Sequence, residues 1–226
     1  MALLELKNVC KNYLIGGEIV VPALKNATLN IDAGEFVAIM GASGSGKSTL
    51  LAILGLLDKA DSGEIRLLGR EIGRLSDNDY AHLRNKFFGF IFQSFNLLPR
   101  LNIVANAQLP LIYSGQTGKE DQARVNELLQ KVGLGDRLRH QPNQLSGGQQ
   151  QRVAIARAIV TDPAVIVADE PTGDLDRASA AEVLDLMGGL VRDFGKTVIL
   201  VTHDPRAAER AQRVRHLEKG VMNDRP

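Results

Sequence analysis

No uninterrupted apolar stretch in this chain of 226 residues approaches the ~18 positions that a helical membrane span needs. The opening "MALLELKNVCKNY" brings in charge too early for the apolar segment of a signal peptide. These two absences predict a protein that stays in the cytosol and works at a membrane only through another chain's spans. Cysteine is almost missing as well. Cys10 stands alone, which excludes an internal disulfide and fits a reducing compartment. It reads as a small, partly buried strand residue. Excess charge of either sign is also absent. With 27 basic and 26 acidic residues the net charge is +1, so no overall field argues for nucleic acid or an anionic lipid surface. Internal repeats, low-complexity tracts and obvious linkers are not found.

What is present is an ordinary globular composition, 44% apolar and 23% charged, long enough for one domain with a sizeable core. Short strands are read in "LLELKNVCKNY" and "ATLNID". "EFVAIM", "FFGFIFQ", "AVIVAD" and "TVILVTHD" are short apolar runs of the kind found in strands covered on both faces. Helical patterns follow or separate them: "GKSTLLAILGLL", "SDNDYAHLRNK", "GKEDQARVNELLQKVGL", "SGGQQQRVAIARAIVTDP" and "ASAAEVLDLMGGLVRDF". Strands alternating with helices predict an α/β fold with a mostly parallel sheet. The expected division is an α/β core from residues 1–93 and 161–226, beginning with a β portion, and a helical subdomain from 94–160.

Three motifs carry chemistry. "GASGSGKS" fits G-x-x-x-x-G-K-[ST] and lies between an apolar strand and a helix. The backbone of Gly41, Ala42, Ser43, Gly44, Ser45 and Gly46 can turn successive N–H groups onto phosphates. Lys47 would reach the outer phosphates, Ser48 would ligate Mg²⁺ and Thr49 would touch the inner phosphate. "AVIVADEPT" puts Asp169 and Glu170 at the carboxyl end of a buried strand, the edge where open α/β sheets bind ligands. Asp169 suits a partner of the metal, and Glu170 the group that polarises an attacking water. His203 and Gln93 end two further strands in the same way, His203 suited to a γ-phosphate and Gln93 to metal and water. A solvated strand end is the plain alternative for the two carboxylates and for Gln93, and a structural histidine for His203. In "LSGGQ", Ser146 can cap a helix start while Gly147 and Gly148 leave N–H groups open, with Gln149 following. The chain thus holds a second candidate anion site.

Taken in order, "GASGSGKST", Gln93, "LSGGQQQR", "VIVADEPTGDLD" and His203 resemble the ATP-binding cassette (ABC) family over almost the whole chain. The resemblance implies a P-loop NTPase core of the RecA-like kind, with an N-terminal antiparallel β portion and a helical subdomain. It implies ATP and Mg²⁺ as ligands and a second copy of the chain as partner. ATP would lie between the cradle of one copy and the Ser146–Gln149 helix start of the other, which explains the need for two anion sites. By the same resemblance Tyr13 stacks on adenine, although a core aromatic on a strand is the simple alternative. Asp176 lies in a segment crossing the dimer interface. Family members often carry Ser-Ala-Leu-Asp there, and this chain has Gly173-Asp174-Leu175-Asp176.

"FQSFNLLPRLNIVANAQLPLIYSG" and "DEPTGDLD" look like the branch that serves macrolide export and lipoprotein release. This implies an integral membrane permease as partner and a place on the cytoplasmic face of the membrane. The apolar segment at Phe95, Leu97, Leu98 and Pro99, if exposed, would form a groove for a short permease helix; packing inside the helical lobe is the alternative, and the two can hold for different residues. The alternative function is an ATPase that controls a transmembrane signalling complex without moving cargo. A role on DNA or ribosomes is disfavoured by the balanced charge.

Overall fold

The computed structural model describes residues 2–223. Two sheets form its frame. The first is antiparallel. Strands β1 (Ala2–Ile15) and β2 (Ile19–Asp32) make a long hairpin around a turn at Gly16-Gly17, and β4 (Ser62–Leu67) and the short β5 (Arg70–Glu71) extend it in the order β2-β1-β4-β5. The second sheet runs β10-β9-β3-β8-β7-β6, where β3 is Phe36–Met40, β6 Phe88–Phe92, β7 Val165–Asp169, β8 Thr197–Thr202, β9 Arg213–Glu218 and β10 Val221–Asn223. Its strands are parallel except for the β9–β10 hairpin.

The apolar runs are continuous because both faces of this sheet are covered. Val37, Ile39, Val165, Val167, Ile199 and Val201 face one core, with β1, β2 and helix α1 (Lys47–Leu54). Phe36, Ala38, Ile166, Ala168, Val198 and Leu200 face a second core, with α6 (Arg177–Phe194). Period-two alternation within each strand divides the sheet between the two layers. Each such aliphatic side chain contributes roughly 1.5–3 kcal/mol by leaving water. A third apolar cluster binds α3 (Ile103–Tyr113), α4 (Lys119–Lys131) and α5 (Gly147–Ile159) through Ile103, Leu111, Val125, Leu129 and Val153. Helix α5 packs on α3 and α4 on one side and on β6 and α6 on the other, so it joins the helical layer to the sheet.

Local rules explain most ends. Helix α2 (Asp77–Phe87) starts at a capping box, in which Ser76 Oγ accepts from Asp79 N while the Asp79 carboxylate accepts from Ser76 N. Helix α1 stops at Gly55, short of the "GLL" that its apolar pattern would include, because Leu56 turns to φ 57° and the Phe90 ring occupies the space beside Gly55. The strand β9 and the short helix α7 (Pro205–Ala208) have no counterpart in the sequence reading. "RVRHLE" carries charge at three of six positions, and its first arginine is accommodated by an ion pair to Glu35 at 2.8 Å. No helix among the described residues is long and apolar enough to cross a membrane.

Candidate functional site

Parallel register collects the motif residues at one edge. Met40 lies opposite Thr202, Asp169 opposite Val201, and Phe92 opposite Asp169. The residues that come next, Gly41, Glu170, His203 and Gln93, therefore leave the sheet side by side at the carboxyl ends of β3, β7, β8 and β6.

The cradle runs from Gly41 into the first turn of α1. Gly46 is the N-cap of α1 at φ 102°, and a Cβ on it would stand 2.3 Å from the Ala23 carbonyl oxygen. Only glycine holds that backbone. Gly41 is equally confined, with Leu217 O 2.3 Å from the position of a Cβ. Ala42, Ser43 and Gly44 are exposed at the lip, and Ser45 is buried with its hydroxyl unpaired. Lys47 is buried to 9% exposure, and its ammonium donates to Gly41 O at 2.8 Å and Ala42 O at 3.0 Å. The cation is thus folded over the loop's own carbonyls, at the place where a polyphosphate would compete for it. Ser48 is exposed and Thr49 half-buried in the same turn.

Two carboxylates face the cradle. Burial and the neighbouring Glu170 push the Asp169 carboxyl above its ordinary pKa, and Lys47 pulls it back. Glu170 sits at φ 45°, a left-handed backbone that costs about 1 kcal/mol or more in a non-glycine residue. Its oxygens are held on two sides. Glu170 Oε1 is 2.8 Å from His203 Nδ1, and Oε2 accepts from Thr202 Oγ1 at 3.2 Å and His203 N at 3.3 Å. His203 is otherwise solvent-exposed. A hydroxyl (Ser48), an amide (Gln93) and a carboxylate (Asp169) fit Mg²⁺ that arrives with a phosphate, because that ion keeps several waters and needs few protein oxygens. Among the described residues no group of three or more His, Cys, Asp and Glu side chains offers a cation a cage of its own.

Gln93 bonds elsewhere: its Nε2 donates to Asp174 Oδ1 at 2.7 Å. Tyr13 lies on β1 outside any core cluster, 39% exposed, with its hydroxyl donating to Asp58 at 3.1 Å and the Lys11 ammonium 5.4 Å from its ring centre. The Lys11 cation in turn holds the Asp58 carboxyl below its ordinary range against the effect of burial.

The second helix start is a reciprocal cap. Ser146 Oγ accepts from Gln149 N at 3.3 Å, and Gln149 Oε1 accepts from Ser146 N at 3.0 Å. The N–H groups of Gly147 and Gly148 precede any intrahelical acceptor. Asp176 caps the adjoining helix α6, accepting from Ala178 N, Ser179 N and Ser179 Oγ. Those bonds depress its carboxyl pKa. The two anion-grade starts rest on different elements, α1 on β2, β7 and β8, and α5 on β6, α3, α4 and α6.

Two functional candidates escaped the sequence reading. Gln151, fully buried on α5, donates to Phe92 O at 3.2 Å and Pro171 O at 2.6 Å and so ties together the chains leaving β6 and β7. Arg157 donates to Phe95 O at 2.8 Å and Asn96 O at 2.6 Å, holding two residues that both have positive φ. A polar residue on the apolar face of α5 was the available signal. The groove also differs from expectation. A cavity of about 540 Å³ lies beside β6, lined by Phe90, Phe92, Asn96, Pro110, Tyr113 and Arg157. Leu97 instead packs on the helical cluster and Phe95 turns toward Gly147.

Comparison with known proteins places this geometry. The family model described as "ABC transporter" matches residues 24–173. A macrolide export ATP-binding/permease protein MacB of Rhodopseudomonas palustris (strain HaA2) is 53% identical over 97% of this chain, and the chain spans 33% of that protein. An uncharacterized ABC transporter ATP-binding protein of Thermotoga maritima is 53% identical over 89% of this chain and 85% of its own length. The solved dimeric structure of MJ0796, a bacterial ABC transporter cassette, superposes with a TM-score of 0.88 at 45% identity, covering 98% of this chain and 97% of that one. The chain covers about a third of the length of the MacB relatives it matches. With strand order, motif placement and these likenesses in agreement, the chain belongs to the ABC transporter family, as one of its ATPase cassettes.

Proposed function

We propose that two copies of this cassette close on ATP and that the closure drives an integral membrane permease from the cytoplasmic face of the membrane, in export or in extraction from the bilayer. The observation that carries this reading is the separation of the two anion sites. Lys47, Asp169 and Glu170 stand together at the sheet edge, whereas the Ser146–Gln149 start is built on α5 and its neighbours. A cradle from one copy and a helix start from another place positive helix ends on opposite sides of one triphosphate. That grip is strongest on the γ-phosphate, so its loss loosens the pair. A related cassette, MJ0796, has been solved as a dimer and in a post-hydrolysis state with ADP and Pi, which supports the same cycle here.

In this reading the cradle N–H groups and Lys47 bind the phosphates, Thr49 reaches the inner phosphate, and Tyr13 stacks on the adenine. Ser48, Gln93 and Asp169 would hold Mg²⁺, which when bound neutralises charge on the phosphate oxygens. Glu170 accepts a hydrogen bond from the attacking water, oriented by Thr202 and His203. His203, exposed on its outer side, is placed to contact the γ-phosphate. Asp176, as the cap of α6, lies in the segment that would meet the second copy. The cavity beside β6 suits a short apolar permease helix. The names of the MacB relatives favour macrolide export as the first substrate class to test.

Glu170→Gln tests the cycle, because it keeps the shape and removes the carboxylate. Size-exclusion chromatography with ATP should show a stable dimer that wild type forms only transiently. A mutant that binds ATP and stays monomeric contradicts the proposal. Export or extraction is tested by the membrane chain that co-purifies and by whether its cargo stimulates phosphate release. An ATPase rate indifferent to any cargo, with a cell-wall enzyme as the co-purifying chain, would favour the signalling role.

A further inference from the structure

The Gly173-Asp174 pair has a structural counterpart in Gln93. The side-chain amide of Gln93 donates Nε2 to Asp174 Oδ1 at 2.7 Å. An ionised carboxylate can only accept, so this contact determines which end of the amide faces it. Oε1 has no hydrogen-bond partner among the described residues. Gly173 makes the room. A Cβ at that position would stand 2.8 Å from Gln93 Nε2 and 2.9 Å from its Cδ, so any larger residue displaces the amide. The two arms of the contact are themselves joined beneath, where the buried Gln151 amide bonds Phe92 O and Pro171 O. The 171–176 turn begins with Gly173 N donating to Glu170 O and ends as the cap of α6.

We propose that Gly173 and Asp174 form a socket for the Gln93 amide, with Asp174 a positioning residue that leaves the amide oxygen as the end offered to the metal of a bound nucleotide. This rests on the reading of Gln93 as a cation donor. It also gives the Gly173-Asp174 variation a physical meaning. The pair ties the strand exit at β6 to the turn that carries Asp176, so a shift of that turn moves the oxygen presented to the cation.

The test uses Mn²⁺ in place of Mg²⁺ and a non-hydrolysable ATP analogue, with free Mn²⁺ read by electron paramagnetic resonance on the full chain. A parallel readout is the side-chain NH₂ resonance of Gln93 in the nucleotide-free protein. D174A should move that resonance and weaken Mn²⁺ binding about threefold to tenfold, as loss of one charge-assisted hydrogen bond implies. Binding of the analogue in EDTA should not change. D174N, whose amide can accept or donate and so no longer fixes which end of Gln93 faces it, should recover only part of the affinity; full recovery would refute the orienting role. Q93A should lose at least as much as D174A, and Q93A/D174A no more than Q93A. If D174A leaves the resonance and the Mn²⁺ affinity at wild-type values while Q93A weakens it, the socket is refuted and the site reading stands. Losses that multiply in the double mutant also refute it, since Asp174 would then act without Gln93. If Q93A binds Mn²⁺ like wild type, Gln93 is not a cation donor and the proposal falls with that reading.

Discussion

The cradle after β3 and the elbow after β6 leave the same edge of one sheet, yet their side chains are held differently. The cradle, residues 41–48, has an outside backbone bond, from Gly220 N to Ser45 O, and is otherwise bound largely from within: Ser45 N donates to Ala42 O, Leu50 N to Gly46 O, and Lys47 to the carbonyls of Gly41 and Ala42. The elbow, residues 92–97, has backbone bonds of its own, from Phe95 N to Phe92 O and from Asn96 N to Ser94 O, and is also held by side chains from elsewhere in the chain. Gln151 and Arg157 of α5 bond the carbonyls of Phe92, Phe95 and Asn96, and Asp174 bonds the Gln93 side chain. A loop bound by its own neighbours keeps its shape when distant helices shift. A loop bound by a helix and by the turn into another helix follows them. In the proposed cycle the first suits fixed binding of phosphate and the second would pass movement between the layers.

Mutations can break this contrast on either side. The largest effect is expected from Lys47→Ala, which should lower phosphate release at least ~100-fold, because the cradle loses its fixed cation. Its melting midpoint should stay near that of wild type, and a large loss of stability would show that the cradle depends on the rest of the fold after all.

Gln151→Leu attacks the elbow at its buried joint. Leaving the Pro171 carbonyl without its partner, while Phe92 O keeps the bond from Phe95 N, should cost about 1–3 kcal/mol in urea unfolding. ATP binding at the cradle should survive. Equal loss of binding and stability would mean that the two regions are not separable.

Arg157→Lys is smaller. The lysine cannot span Phe95 O and Asn96 O with one fork, so about 1–2 kcal/mol is expected in the same unfolding experiment. Protease cleavage between Phe92 and Leu97 should become faster.

The smallest effect tests the charge at the edge. Burial and Glu170 raise the Asp169 pKa in the folded chain. The folded state therefore binds the proton more tightly than the unfolded chain. The associated stability is present below the unfolded pKa and is lost as pH rises through the folded one. Asp169→Asn removes the ionisation, so it should raise the nucleotide-free melting midpoint at pH 7 by roughly 2 °C. That gain should shrink toward zero as the solution is acidified below the ordinary aspartate range. A midpoint that falls at pH 7 would show that the carboxylate is stabilised by Lys47 more than it is opposed by burial and Glu170.

The legibility of the molecule followed the same division. The fold class was readable, because fully covered parallel strands are written as unbroken runs such as "FVAIM" and "VIVAD". The cradle and the Ser146 cap were readable because helix starts and glycine turns are set by residues a few positions apart. Strand β9 was not, since its charged pattern becomes a strand only where Glu35 and the edge of β3 receive it. The apolar segment after Gln93 divides: Leu98 and Pro99 stay exposed, whereas Leu97 packs inward and Arg157 holds the backbone, a split that no local pattern marks. Nothing local marks Asp174 as the partner of a residue 81 positions earlier.

From its residues alone this chain specifies an α/β fold with a phosphate-cradle motif and a capped helix start, because short-range dihedral preferences and strand periodicity act within single segments; ATP as the ligand is what the family resemblance implied. Which motif ends become neighbours, how Glu170 is held by Thr202 and His203, and what Gln93 bonds depend on strand register and on where α5 and α6 pack. Those contacts join residues far apart in the chain, and they exist only once burial of the three apolar cores has paid the entropy of bringing them together.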